Sequence, residues 1–144
     1  MRIRLCRPED LAQVYEIEKE SFPHPYDLDV FRAYLMRVEC SGFDGFLVAE
    51  EGERVVGYAI FEYGRSGLIV SMAVAARMRR AGIGASLLRE ALGRLATKCN
   101  EVTLQVAVTN TPAQRLYEEF GFAKVKVLAR YYPDGEDAYL MRRA

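Results

Sequence analysis

Three arginines crowd into four positions, Arg77, Arg79 and Arg80, and two glycines, Gly82 and Gly84, follow them. Ahead of this cluster runs the apolar, β-branched stretch 68–74. Behind it, Leu87, Leu88, Ala91, Leu92 and Leu95 recur with the spacing of one buried helical face. The order is therefore strand, glycine loop, helix. The first N–H groups of such a helix lack internal partners, its dipole adds about half a positive charge, and glycine lets an anion approach the backbone. Arg79-x-x-Gly82-x-Gly84 lacks the third glycine of the dinucleotide fingerprint and the Gly-Lys-Ser/Thr end of the P-loop. It predicts a phosphate compound of another kind, with more than one phosphate for three guanidiniums. An ordinary loop with solvated arginines fits the same residues.

A second set follows the next strand, where Val102, Leu104, Val106 and Val108 alternate. The pattern Asn110-x-x-Ala113-x-x-x-Tyr117-x-x-x-Gly121-Phe122 puts Asn110 at the strand exit and Tyr117 on the inner face of a helix capped by Gly121. This strand is expected beside the one ending at Val74. If the two splay apart, their free backbone groups offer a slot in which an extended, amide-bearing ligand pairs like an added strand. Taken alone, Tyr117 reads as a core aromatic more readily than as a catalyst.

The remaining elements must hold these sets in place. Residues 2–5 alternate as a first strand, and Pro8 suits the first turn of a helix carrying Leu11, Val14, Tyr15 and Phe22. Pro23-His24-Pro25 ends that helix, and a second fits residues 29–37 with Phe31, Leu35 and Val38 on one face. Two apolar runs around Glu51-Gly52-Glu53-Arg54 read as a hairpin, and a closing hairpin turns at Pro133-Asp134-Gly135. The sum is one α+β domain over residues 1–144, a mixed, mostly antiparallel sheet flanked by helices. Its 51% hydrophobic content supplies a core, and 20 basic residues balance 20 acidic ones. That balance gives no global field for nucleic acid or anionic lipid, so any anion must be held locally. Three scattered cysteines, Cys6, Cys40 and Cys99, and one histidine make no zinc signature, and no metal is expected. No run approaches the roughly 20 apolar residues of a membrane span, so a cytoplasmic protein without membrane partner is expected.

Four segments, SFPHPY (21–26), SMAVAARMRRAGIGASLL (71–88), LQVAVTNTPAQRLYEEFGF (104–122) and YYPDGEDAYLMRR (131–143), resemble the GNAT superfamily of acetyl-CoA-dependent N-acetyltransferases. Within it they resemble the enzymes that acetylate protein N-termini, of the bacterial ribosomal-protein-alanine type and, closer, the archaeal and eukaryotic type. The resemblance implies the GNAT acyl-CoA N-acyltransferase fold, acetyl-CoA as co-substrate and protein or peptide N-termini as partners. It also implies that backbone groups of Met72, Ala73 and Val74 pair with the pantetheine arm. Residues Arg79, Arg80, Ala81, Gly82, Ile83, Gly84 and Ala85 would cradle the pyrophosphate, Asn110 would hold pantetheine, and Tyr117 would lie by the thioester sulfur. Phe22, Tyr26, Tyr131 and Tyr132 would line a groove for the peptide. With Met72 they would favour small or apolar first residues. Whether an auxiliary subunit joins the chain is not readable from the sequence.

Acetyl transfer to an amine needs a neutral amine, a stabilised oxyanion and a proton for the leaving thiolate. Tyr117, with an ordinary pKa of about 10, can supply the proton, and a backbone N–H near Val74 can meet the oxyanion. Relatives often carry Glu or His in mid-strand before the asparagine, and here Gln105 stands there. Glutamine can orient a water but cannot take its proton. At pH 7 an α-amine of pKa about 8 costs only ~1.4 kcal/mol to deprotonate, against ~4.6 for a lysine amine. A site with a weak base therefore favours N-terminal amines. Substitute bases are Glu62, at a strand end, and the Tyr131/Tyr132 pair ordering a water. His24 has a suitable ordinary pKa, although a surface histidine between prolines fits as well. Two alternatives stay open: an acetyltransferase for a small amine or a lysine side chain, and a weakly catalytic CoA-binding module.

Overall fold

The computed structural model describes residues 1–41 and 44–144. The strands are β1 (Arg2–Leu5), β2 (Asp44–Glu51), β3 (Arg54–Glu62), β4 (Gly67–Val74), β5 (Val102–Ala107), β6 (Ala123–Leu128) and β7 (Ala138–Arg143). The helices are α1 (Leu11–Ser21), α2 (Leu28–Ser41), α3 (Ile83–Leu95) and α4 (Thr111–Glu119). All seven strands form one sheet in the order β1-β2-β3-β4-β5-β7-β6. Every neighbouring pair is antiparallel except β4 and β5.

Alternation along each strand divides the apolar residues between two cores. On one face Leu104 and Val106 of β5 and Phe61 of β3 pack with Leu87, Leu88, Ala91 and Leu95 of α3 and Tyr117 of α4. On the other, Phe31 of α2, Phe46 of β2 and Tyr58 of β3 meet as an aromatic trio with centroids 5.7 to 6.5 Å apart, joined by Leu11, Val14 and Ile17 of α1. Gly57 lets α3 approach β3, since a Cβ there would sit 3.0 Å from Leu87 Cδ1.

Two boundaries differ from the pattern. Phe22 lies just beyond α1 in extended backbone (φ −131°), and the buried stripe of that helix is Leu11, Val14, Ile17 and Glu18. Strand β6 stops at Leu128, well short of the turn at Pro133-Asp134-Gly135. Arg130 takes up φ +50° and its N–H goes to the Asp137 carboxylate at 2.9 Å, which turns the chain away from the ladder. No helix among the described residues is long and apolar enough to cross a membrane.

Candidate active site

Strands β4 and β5 pair only at Gly67–Val102, Leu68–Thr103 and Ile69–Leu104. Beyond this point β4 stays bonded to β3 as far as Val74, and β5 to β7 as far as Ala107, so the edges they turn toward each other are free. The cause is a bulge. Ile60 faces Ser71 and Phe61 faces Ile69, leaving Val70 as an extra residue in β4. A bulge bends its strand and increases its twist, which carries β4 away from β5. It also resets the alternation: Ile69, Met72 and Val74 pack toward α3, whereas Val70 and Ala73 pack toward α1 and α2. Met72 therefore packs with the α3 core, and the expectation that its side chain lines the peptide groove with Phe22 and Tyr26 is corrected. The run 68–74, apolar except for Ser71, has no alternation that would show the reset.

At the mouth of this slot the chain passes through Arg80 at φ +68° and Gly82 at φ +82°, and Gly82 caps the N-terminus of α3. Left-handed residues at a helix start turn successive N–H groups into one concavity. Among the described residues, no amide from 80 to 85 has a backbone partner, and the first such bond of the helix is Ser86 N–H to Gly82 O at 3.0 Å. Arg77 and Arg80 are exposed beside this nest. Arg79 is spent differently: its Nε donates to Val74 O at 3.1 Å and its Nη2 to Ser21 Oγ at 3.0 Å. Glu20 Oε1 accepts the Ala76 N–H at 2.8 Å, so the last turn of α1 braces the loop at two points. Gly84 faces Leu116 and Val74, where a Cβ would stand 3.4 and 3.7 Å away.

Asn110 caps α4, its Oδ1 accepting the Ala113 N–H at 3.3 Å, which leaves its amide nitrogen for a ligand. Gln114, which the motif reading passed over, donates to the carbonyls of Ala107 and Val108, each at 3.0 Å, and holds the exit of β5. Tyr117 is 8% exposed and packs edge-to-face on Phe122. Its hydroxyl has no protein partner among the described residues, and no fully enclosed side-chain polar atom among them lacks one, so this hydroxyl is not fully enclosed. Burial, with Tyr132 second, pushes its pKa up to about 12.

On the α1/α2 side two loops come together as the walls of the expected peptide groove would. One is the segment 22–27 with Phe22 and Tyr26. The other is the segment 129–137, where the Tyr131 and Tyr132 rings stand edge-to-face 5.0 Å apart. Burial first, and then the neighbouring Tyr131, Glu136 and Tyr26, hold Tyr132 up at about 12. His24 Nε2 lies 3.7 Å from Asp134 Oδ2, so an exposed pair spans the two walls. Gln105 alternates with buried Leu104 and Val106, which turns it to the groove face beside Leu140 of β7. Glu62 shares the face of Tyr58 and Ile60, but it pairs with Arg37 at 3.0 Å and lies opposite Leu68, before the slot opens.

Glu18 escaped the motif reading altogether. It is 3% exposed, and its carboxylate accepts from the Tyr58 hydroxyl and, at 3.0 Å, from the Tyr26 N–H. Its place four residues after Val14, on the buried stripe of α1, is the one signal that could have found it.

Splayed parallel strands beside an amide nest at a helix start define a protein that threads an amide-bearing, phosphate-bearing ligand through its sheet. Residues 11–122 match the Acetyltransferase (GNAT) family, and the chain belongs to that family. It is 40% identical to an N-alpha-acetyltransferase of Sulfurisphaera tokodaii, over 97% of this chain and 90% of that protein. It is 31% identical to N-alpha-acetyltransferase 30 of Homo sapiens, over 97% of this chain and 40% of that protein. Among solved structures, Ard1 from Thermoplasma volcanium superposes with a TM-score of 0.90 at 30% identity, covering 99% of this chain and 95% of that one.

Proposed function

We propose that this chain transfers the acetyl group of acetyl-CoA to the N-terminal α-amine of proteins, and that the slot and the groove hold the two substrates. The observation that carries the reading is their meeting at one point: the slot opens at Val70 and Gln105, and the groove runs over the same face. Acetyl-CoA supplies an activated thioester. The edge of β4 over Met72, Ala73 and Val74, where Arg79 Nε already takes the Val74 carbonyl, pairs with the pantetheine amides, and Asn110 adds its side-chain amide. The amides of residues 80–85, with Arg77 and Arg80, hold the pyrophosphate. Arg79 serves this site as a brace of the loop.

Tyr117 stays protonated throughout the working range and donates a hydrogen bond to the leaving sulfur. A thiolate of ordinary pKa about 8.5 is too weak a base to strip a phenol held near 12, so the proton that ends on sulfur comes from the amine. A free N–H on the β4 edge meets the charge developing on the carbonyl oxygen. Gln105 orients a water at the amine. Glu62, held by Arg37, is the candidate base, with Tyr131 and Tyr132 ordering water from the far wall.

Incubation with acetyl-CoA and short peptides, read by mass spectrometry, tests the assignment. Acetyl on free N-termini alone is expected. Label on lysine side chains or polyamines would move the substrate class, and CoA binding without turnover would reduce the protein to a binding module.

A further inference from the structure

We propose that Glu18 is a positioning residue that sets affinity for the peptide by holding the 22–27 wall of the groove against the bulged part of β4. This rests on the reading of that wall as the peptide side. Segment 22–26, Phe22-Pro23-His24-Pro25-Tyr26, has three backbone N–H groups, because two of its residues are proline. Two of the three go to Glu18. Its carbonyl takes the Phe22 N–H at 3.1 Å and its carboxylate takes the Tyr26 N–H at 3.0 Å. One residue thus fixes both groove aromatics of this wall.

The other end of the carboxylate reaches the sheet. Glu18 Oε1 accepts from the Tyr58 hydroxyl, and Tyr58 lies 3.0 Å from Ser71 Oγ, which is itself 3.5 Å from Glu18. Ser71 follows Val70, the bulged residue at which the slot opens. No ion pair to Glu18 is present among the described residues, so donors on three segments take the place of a counter-cation. A buried carboxylate is costly unless its oxygens are satisfied, and retaining one here needs a task that an apolar residue could not perform. That task is geometric. The Tyr26 N–H approaches one oxygen and the hydroxyls of Tyr58 and Ser71 the other, and a carboxylate offers an acceptor at both. Burial and the adjoining Glu18 keep the Tyr58 hydroxyl protonated, so it remains a donor.

Glu18→Gln retains one acceptor and Glu18→Ala none, while Tyr58→Phe removes the sheet-side donor and keeps the ring in the core. An unsatisfied buried donor corresponds to about a tenfold change in a binding constant. Glu18→Ala should therefore raise the peptide KM about tenfold, with Glu18→Gln and Tyr58→Phe at roughly threefold, and leave the acetyl-CoA KM within about twofold. A purely structural role would lower the melting temperature and the active fraction without separating the two KM values. Hydrogen exchange of a fragment spanning residues 22–27 gives a second readout that needs no turnover. The Tyr26 amide should be protected in the unaltered protein and exchange freely in Glu18→Gln. A peptide KM in folded Glu18→Gln and Tyr58→Phe unchanged from that of the unaltered protein, KM values for both substrates rising together, or unchanged exchange at Tyr26, would each overturn the proposal. Should Glu18→Ala not fold, the other two variants decide. If the unaltered protein acetylates no peptide N-terminus, the proposed function fails while the exchange experiment still judges the clamp.

Discussion

The two sides of the site are built from different materials. The proposed coenzyme side is backbone: two strand edges that do not pair with each other, the amides of 80–85 and the start of α3. Side chains there mostly hold main chain in place, as Arg79 does on Val74 O, Asn110 on Ala113 N and Gln114 on Ala107 O. The peptide side is made of side chains on two loops far apart in sequence, with Tyr26 facing Tyr131 and Tyr132 and His24 facing Asp134. Backbone groups recognise what all acyl-CoA thioesters share. Side chains on loops can vary with the substrate while the sheet stays the same.

The largest effect should come where the two sides meet. Tyr117→Phe keeps the ring on Phe122 and removes the hydroxyl proposed to donate a hydrogen bond to the leaving sulfur, so kcat should fall about a hundredfold with CoA affinity unchanged. An unaltered kcat would remove the hydroxyl from the mechanism. Next is the nest. Gly82→Val puts a β-branched residue at φ +82°, a strained geometry, and should raise the acetyl-CoA KM about tenfold while the peptide KM holds. Parallel rises in both would show that the two sides are not separate.

A smaller effect concerns the proton. With no carboxylate at position 105, kcat/KM should climb about tenfold per pH unit up to the α-amine pKa of about 8 and then level. Because its pKa is raised to about 12, Tyr117 remains protonated on the alkaline side, and no decline should appear before about pH 11. Gln105→Glu should lift the low-pH arm several-fold if the missing base limits the rate. An unchanged arm would return the role to Glu62 or to water. Smallest is the exposed His24–Asp134 pair, for which Asp134→Asn should raise the peptide KM no more than about twofold, and less in high salt.

Legibility followed the same division. Gly82, Gly84, Asn110 and Tyr117 announce the coenzyme side because a helix start, a cap and an inward face are each settled within a few residues. The slot itself was expected only on condition that the strands splay, and the run 68–74, apolar except for Ser71, has no alternation that would show the bulge at Val70 that splays them. Met72 was misplaced for that reason. Arg79 reads as a phosphate ligand until the fold brings Ser21 beside it, and Glu18 reads as one more surface acid until α1 turns it inward.

By itself, then, the chain's sequence determined its helices and strands, the amide nest and the acetyltransferase class, since these depend on spacing over a turn or two. Tertiary structure alone decided where β4 and β5 part, which arginine is free to meet phosphate, and what holds Tyr26. The physical reason is that a strand edge or a buried carboxylate has no local preference for its partner: β7 comes to lie between β5 and β6, and Glu18 to lie against Tyr58 and Ser71, only when the sheet and α1 close over them.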